Sequence, residues 1–293
     1  MTAALAANRR IVHRTRGHAH GPVTRLMSPS DLGEHLKPFV FLDIFKMEDS
    51  SKSPFDLHPH SGIATVTVFT EGDASFDDGE GHSGNIGYGG VEWMRAGRGV
   101  WHGKELGAGS TKGVSGFQLW LALPAELELA VADPQYIETG CTPQVGPARL
   151  ILGRYQGEAS PVRAPADVNY LMVTLKPGET WRYDTPSGHR AAWLAVSKGD
   201  VTIDGTVTAG EMVVFDDSDA AIEIRSTGSV EAKLVIGSAK PHPHPLHLGH
   251  YSVHTSADAL QAGERHITDL RKKLIERERQ RRTQPTSSVP VLR

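Results

Sequence analysis

The 293-residue chain has one cysteine, Cys141, so no intrachain disulfide can form and a disulfide-stapled scaffold is excluded. Such usage fits a reducing compartment, and a cytoplasmic location is expected. No stretch approaches the ~20 consecutive apolar residues that span a bilayer, so no membrane segment is expected. Charge of one sign is lacking too: 31 Lys and Arg stand against 34 Asp and Glu, leaving −3. That balance provides no field for gripping nucleic acid or anionic lipid, and direct nucleic-acid binding is not expected. The opening residues put the basic pair Arg9-Arg10 after a short apolar stretch, the reverse of a secretion signal. Nucleotide and hydrolase motifs are absent. Gly87, Gly89 and Gly90 are not followed by Gly-Lys-Ser/Thr, and no Gly-x-Ser-x-Gly surrounds Ser83, Ser115 or Ser187.

What is abundant is punctuation. Thirty-one Gly and 18 Pro divide the chain into short apolar pieces, which argues against a long-helix bundle and for an all-β fold. Phe39–Leu42, Gly62–Thr70, Val91–Met94 and Phe117–Leu123 read as strands, bounded by turns such as Glu71-Gly72-Asp73 and by Pro124. A polar, turn-rich segment at Cys141–Pro147 follows. A second series then runs through Leu150–Leu152, Tyr170–Leu175, Ala191–Val196, Val201–Ile203, Glu211–Phe215 and Lys233–Ile236. The two series share strand count and glycine placement, so a duplicated β-barrel is predicted. Residues 1–135 would form the first barrel, 136–240 the second, and 241–293 a returning strand, a short helix and a flexible tail.

In that tail Ser256 is a candidate N-cap, and Ile267, Leu270 and Leu274 fall at helical spacing. Residues 264–282 hold eight Lys/Arg against four Asp/Glu. A solvated helix face is the expected role of that run rather than a nucleic-acid or partner contact.

Chemistry concentrates at His58-Pro59-His60, directly before a strand. In extended chain, side chains at i and i+2 share a side, and Pro59 biases His58 toward extended geometry, so both imidazoles can reach one ion. His102 follows the turn Gly97-Arg98-Gly99, where an antiparallel barrel would bring the chain back. Three imidazoles on one face suit Fe(II), Zn or Ni with positions left open. The denser tract His242, His244, His247 and His250 is held extended by its prolines. His82 lies in a glycine-rich loop, and His189 has no partner with which to build a second site. Trp93, Trp101, Trp120 and Phe69 read as core residues, Trp101 being the best placed to line a pocket.

The run His58-Pro59-His60-Ser61-Gly62-Ile63-Ala64-Thr65-Val66-Thr67, followed by Val91-Glu92-Trp93-Met94-Arg95-Ala96-Gly97-Arg98-Gly99-Val100-Trp101-His102, resembles the pirin family of two-barrel cupins. The resemblance extends from Phe39 to Trp120 and resumes at Leu248–Thr255. It implies a bicupin with a divalent metal in the first barrel: Fe(II) foremost, with Ni, Zn or Mn as alternatives. Members are described as quercetin 2,3-dioxygenases in some bacteria and as transcription-factor cofactors in animals. The implied reading is therefore a metal-dependent dioxygenase acting on a small aromatic molecule. A non-enzymatic regulatory protein with a degenerate metal site, meeting a protein partner, is the alternative.

The family's ligands, two histidines of His-Pro-His, a later histidine and a glutamate two residues beyond it, fall on His58, His60, His102 and Lys104. The general cupin glutamate falls on Ala64. Three outcomes stay open: Glu105 as fourth ligand through a one-residue register shift, a three-histidine site completed by water, or a weak or absent metal. If residues 102–104 are extended, Lys104 shares the side of His102, and Glu105→Ala should change little. A unit charge pair at 4 Å is worth roughly 4 kcal/mol at an effective dielectric of ~20, before solvation of the flexible lysine is discounted. Lys104→Glu is accordingly expected to raise Fe(II) or Ni(II) affinity roughly tens- to thousands-fold, measured as metal content of protein purified without a histidine tag.

Overall fold

Strand Ile63–Glu71 is buried along nearly its whole length, because both of its faces are covered. Ala64, Val66 and Val68 point into a core shared with the second half of the chain, while Thr67 and Phe69 face the interior of the first half. The computed structural model describes residues 8–49, 57–78, 81–103 and 105–283. Within them the fold is all-β, with two seven-stranded antiparallel sheets.

The first large sheet runs Asp133–Ile137, Val91–Arg95, Ile63–Glu71, Val114–Ala122, Phe39–Met47, Val23–Met27 and His18–His20. A three-stranded sheet, Leu106–Ala108, Ala74–Asp77 and Ser83–Ile86, packs on its inner face through Phe45, Phe69, Phe76 and Ile86. The second large sheet is built around Val168–Leu175, Ala191–Lys198 and Ala232–Ala239. It is covered on its inner face by four short strands through Trp181, Val201, Val207, Ile222 and Ile224. Back to back, the two large sheets enclose a common core that includes Phe39, Trp93, Leu119, Tyr170, Trp193 and Val235. Phe39 meets Trp193 edge-on at 5.5 Å. Among the described residues no ladder closes into a ring, so each half consists of facing sheets with open edges.

The predicted strands are present, most of them one to three residues longer at one or both ends. Two features differ from expectation. Strand Ile11–Thr15 belongs to the second large sheet, pairing with Met212–Phe215 rather than with the first half. The buried Arg9 guanidinium fixes that crossing by donating to the carbonyls of His189, Arg190 and Asp216. The C-terminal helix is not short: it spans Ala257–Thr283, 27 residues. Ser256 Oγ accepts from the Ala259 N–H at 3.2 Å, as an N-cap does. Ile267 and Leu270 are buried, but from Arg271 onward nearly every described side chain is exposed. The helix continues there on residues of high intrinsic propensity rather than on an apolar stripe. No helix among the described residues is long and apolar enough to cross a membrane.

Candidate metal centre

Strand His58–His60 pairs antiparallel with Val100–His102, which sets His102 directly opposite His58. Alternation puts His60 on the same side as His58. The three rings come together with centroids 4.6 to 5.0 Å apart, and one nitrogen from each lies within 4.8 Å of the others. His60 is fully buried and His102 nearly so. His60 Nδ1 donates to the Tyr251 carbonyl at 3.2 Å, while His60 Nε2 and both ring nitrogens of His102 have no hydrogen-bond partner. Buried polar atoms are rarely left unpaired, because each orphan costs about 1–3 kcal/mol. Burial, reinforced by the neighbouring imidazoles, holds His60 well below the ordinary histidine range and His102 down to about 3. Both rings therefore stay neutral near pH 7, with lone pairs available. Three converging imidazoles, two of them neutral and with orphaned buried nitrogens, are the donor set that Fe(II), Ni or Zn takes, so a divalent ion fits His58, His60 and His102.

The cluster separates two spaces. On one side lies a cavity of about 60 Å³, lined by His58, His102, Thr67, Glu92, Glu105 and Gln118 among apolar side chains. On the other an open groove of about 840 Å³ runs along Phe41, Trp101, Trp120, Tyr251 and Arg271. His58 and Gln118 border both. Phe41 stacks on Trp120 at 4.0 Å, and the Arg25 guanidinium, paired with Asp43, lies 3.8 Å above Phe41. Trp101, singled out as pocket-lining, does border the groove and donates from Nε1 to the Ile267 carbonyl at 2.9 Å.

Two carboxyls reach the small cavity. Glu92 is aligned with Thr67, and Thr67 with Gln118, in one polar row across three strands. Burial raises Glu92 to about 7, with the Thr67 hydroxyl opposing the shift and Glu105 adding to it. Glu92 was not among the residues expected at the site, although a lone acid between Val91 and Trp93 in a strand was the available signal. Glu105 enters because the extended strand ends at His102. Gly103 adopts φ +126°, a region side chains disfavour, and Glu105 Oε2 accepts the Gly103 N–H at 2.7 Å. Strict alternation thus stops before Lys104, which itself lies outside the described residues. Glu105 lines the cavity, yet the group able to hold an ion among the described residues comprises His58, His60 and His102 without it. Glu105→Ala is therefore still expected to change metal affinity little, read by calorimetric titration. Ala64 lies in the core between the large sheets, so a carboxylate there would face away from the histidines.

Three of the other histidines have local partners. His82 pairs with Asp78, His189 Nδ1 meets Ser238 Oγ at 2.9 Å, and His242 Nε2 donates to the Leu123 carbonyl. A serine–histidine–glutamate string that the motifs do not reveal does exist: Ser61 Oγ lies 3.0 Å from His254 Nε2, and His254 Nδ1 lies 3.0 Å from Glu128 Oε2. All three are buried, Ser61 completely, so the string joins segments and offers no accessible nucleophile.

Facing antiparallel sheets with a histidine cluster held inside the first half define a cupin-class protein. The chain belongs to the pirin family. The family pattern named Pirin matches residues 20–121. A pirin-like protein of Caulobacter vibrioides is 32% identical over 235 residues, covering 76% of this chain and 83% of that one. Among solved structures, a quercetin 2,3-dioxygenase from Acinetobacter baumannii superposes with TM-score 0.76 at 24% identity, covering 91% of this chain and 98% of its own. The bacterial pirin YhhW of Escherichia coli, solved in complex with nickel(II), superposes with TM-score 0.58 at 20% identity, covering 80% and 98%.

Proposed function

We propose that the protein is a metal-dependent dioxygenase of the quercetinase type, acting on a planar phenolic molecule at a centre held by His58, His60 and His102. The observation that carries this reading is the set of buried imidazole nitrogens left without protein partners between a small acidic cavity and a wide aromatic groove. The name of the Acinetobacter structure and the nickel in the Escherichia coli pirin support it by likeness of fold. A divalent ion at the histidines supplies Lewis acidity and an open coordination position.

The remaining work falls to the chain. The groove is large enough for a fused-ring substrate, and Trp120, Phe41 and Tyr251 present flat apolar surfaces to it. The cavity of about 60 Å³ admits only molecules of water or dioxygen size, so the ring stays on the groove side. Glu92 lines the cavity rather than the groove, and with its carboxyl raised to about 7 it is suited to exchange a proton with a substrate hydroxyl that reaches past Gln118 into the cavity. Gln118 borders both spaces and can orient a substrate hydroxyl between them.

The test is anaerobic loading with Fe(II), then oxygen consumption and product analysis with quercetin and simpler phenols. Oxygen uptake dependent on both metal and substrate is the expected result. Loaded protein that consumes no oxygen with any of them would refute the enzymatic reading.

A further inference from the structure

His60 is oriented by the far end of the chain. Strands His247–Leu248 and Val253–His254 form a small hairpin, closed by the Gly249 N–H donating to the Ser252 carbonyl at 2.9 Å. Between them Tyr251 adopts φ +58°, the left-handed conformation that few residues other than glycine and asparagine occupy without strain. That conformation aims the Tyr251 carbonyl at His60 Nδ1, 3.2 Å away. A carbonyl can only accept, so Nδ1 carries the proton, and Nε2, buried without a hydrogen-bond partner, keeps the free lone pair.

The hairpin is anchored on both flanks. Ser61, the residue after His60, places Oγ 3.0 Å from both Ser252 Oγ and His254 Nε2. Glu128 holds His254 Nδ1, the Thr255 N–H and the Thr255 hydroxyl. From the C-terminal helix, Glu264 accepts the His250 N–H at 3.0 Å. Gly62 permits the close approach, since a Cβ there would lie 2.0 Å from the Val253 carbonyl oxygen. The hairpin is thereby locked to the chain next to the histidine cluster.

We propose that this hairpin is an integral part of the metal centre, with the left-handed backbone of Tyr251 as the positioning element that sets the tautomer and aim of His60. The inference rests on the metal-binding reading of the three histidines. Outer partners that orient a ligating histidine are typically worth about 10- to 100-fold in metal affinity. Here that role belongs to a backbone atom, so side-chain identity at 251 matters only through the conformation it allows.

This separates the proposal from a role for the tyrosine ring, which borders the groove and is 43% exposed. Tyr251→Gly and Tyr251→Asn both tolerate left-handed φ and are expected to bind Co(II) as tightly as the wild type, with the same visible absorption bands. Tyr251→Val, whose β-branch opposes that conformation, should bind about 10- to 100-fold more weakly and with altered bands. Equal affinity and spectra for the valine variant and the wild type would overturn the inference alone. Loss of binding in all three variants would overturn it in favour of the ring. Wild-type protein that takes up no Co(II) would overturn the metal reading and this inference with it. Should the valine variant not fold, nitrogen NMR of the metal-free wild type decides. An Nδ1–H tautomer at His60 is expected, and an Nε2–H tautomer overturns the proposal.

Discussion

Replacing His102 by leucine should remove metal binding and, at the same time, stabilise the metal-free fold. Both ring nitrogens of His102 are buried without partners, so in the absence of an ion the residue carries two unmet hydrogen-bonding groups. A leucine of similar volume carries none. Removing the orphans should gain about 2 kcal/mol near pH 8. The gain depends on pH. His102 titrates at about 3 when folded and near 6.5 when unfolded, so below pH 6.5 the unfolded chain binds a proton that the folded one refuses. Stability contributed by this site therefore falls as pH drops from 6.5 toward 3, and the variant escapes that loss. The advantage of leucine should be about 2 kcal/mol larger at pH 5 than at pH 8. Metal affinity should fall by more than the ~100-fold associated with losing an outer partner. Urea denaturation in chelator at both pH values, beside calorimetric metal titration, reads both effects. A leucine variant less stable than the wild type without metal would mean that the ring nitrogens are satisfied after all.

The same residues show why part of this centre was legible in the sequence. His58, Pro59 and His60 announce themselves because extended chain and a two-residue spacing fix one shared side without any knowledge of partners. His102 needed only the assumption that a glycine turn brings the chain back, and the strand pairing supplies that return. Glu92 was hidden for a different reason. Alternation says that it faces opposite to Val91 and Trp93, but which face is the cavity depends on the neighbouring strands, whose register no local pattern reveals. Glu105 was ambiguous because one glycine with positive φ resets the alternation on which its direction was judged. Tyr251 could not be found from its side chain at all, since the group that reaches His60 is a carbonyl that every residue possesses.

At the level of the fold, periodic apolar runs marked nearly every core strand. The crossing of Ile11–Thr15 into the second large sheet rests on a pairing some 200 residues away in sequence, which short-range periodicity does not encode. The length of the C-terminal helix was underestimated because its apolar spacing ends at Leu274, although good helix-forming residues continue and contacts such as Lys272–Asp269 support them.

Glu92→Gln should produce the second large effect, again with a sign that pH reverses or exposes. The folded carboxyl titrates at about 7, raised from 4.5 chiefly by burial. Between those values the folded protein holds a proton that the unfolded chain releases, so the stability contributed by the site is fully present below pH 4.5 and is lost as pH rises toward 7. Above that point a buried carboxylate has to be tolerated. Glutamine keeps the shape and an uncharged polar end at every pH. In chelator the variant should match the wild type near pH 4.5 and exceed it by about 3 kcal/mol at pH 8, as the shift requires through linkage. Catalysis should move the opposite way. Loss of a positioned proton acceptor should lower kcat roughly 100- to 10,000-fold on a phenolic substrate, while metal affinity holds because no histidine is touched. A stability difference that does not change between pH 4.5 and pH 8 would show that Glu92 titrates normally, and the proton-transfer role would fall with it. A pH-dependent gain in stability with unchanged turnover would instead leave Glu92 buried and raised in pKa, and assign the substrate's proton to another group at the cavity.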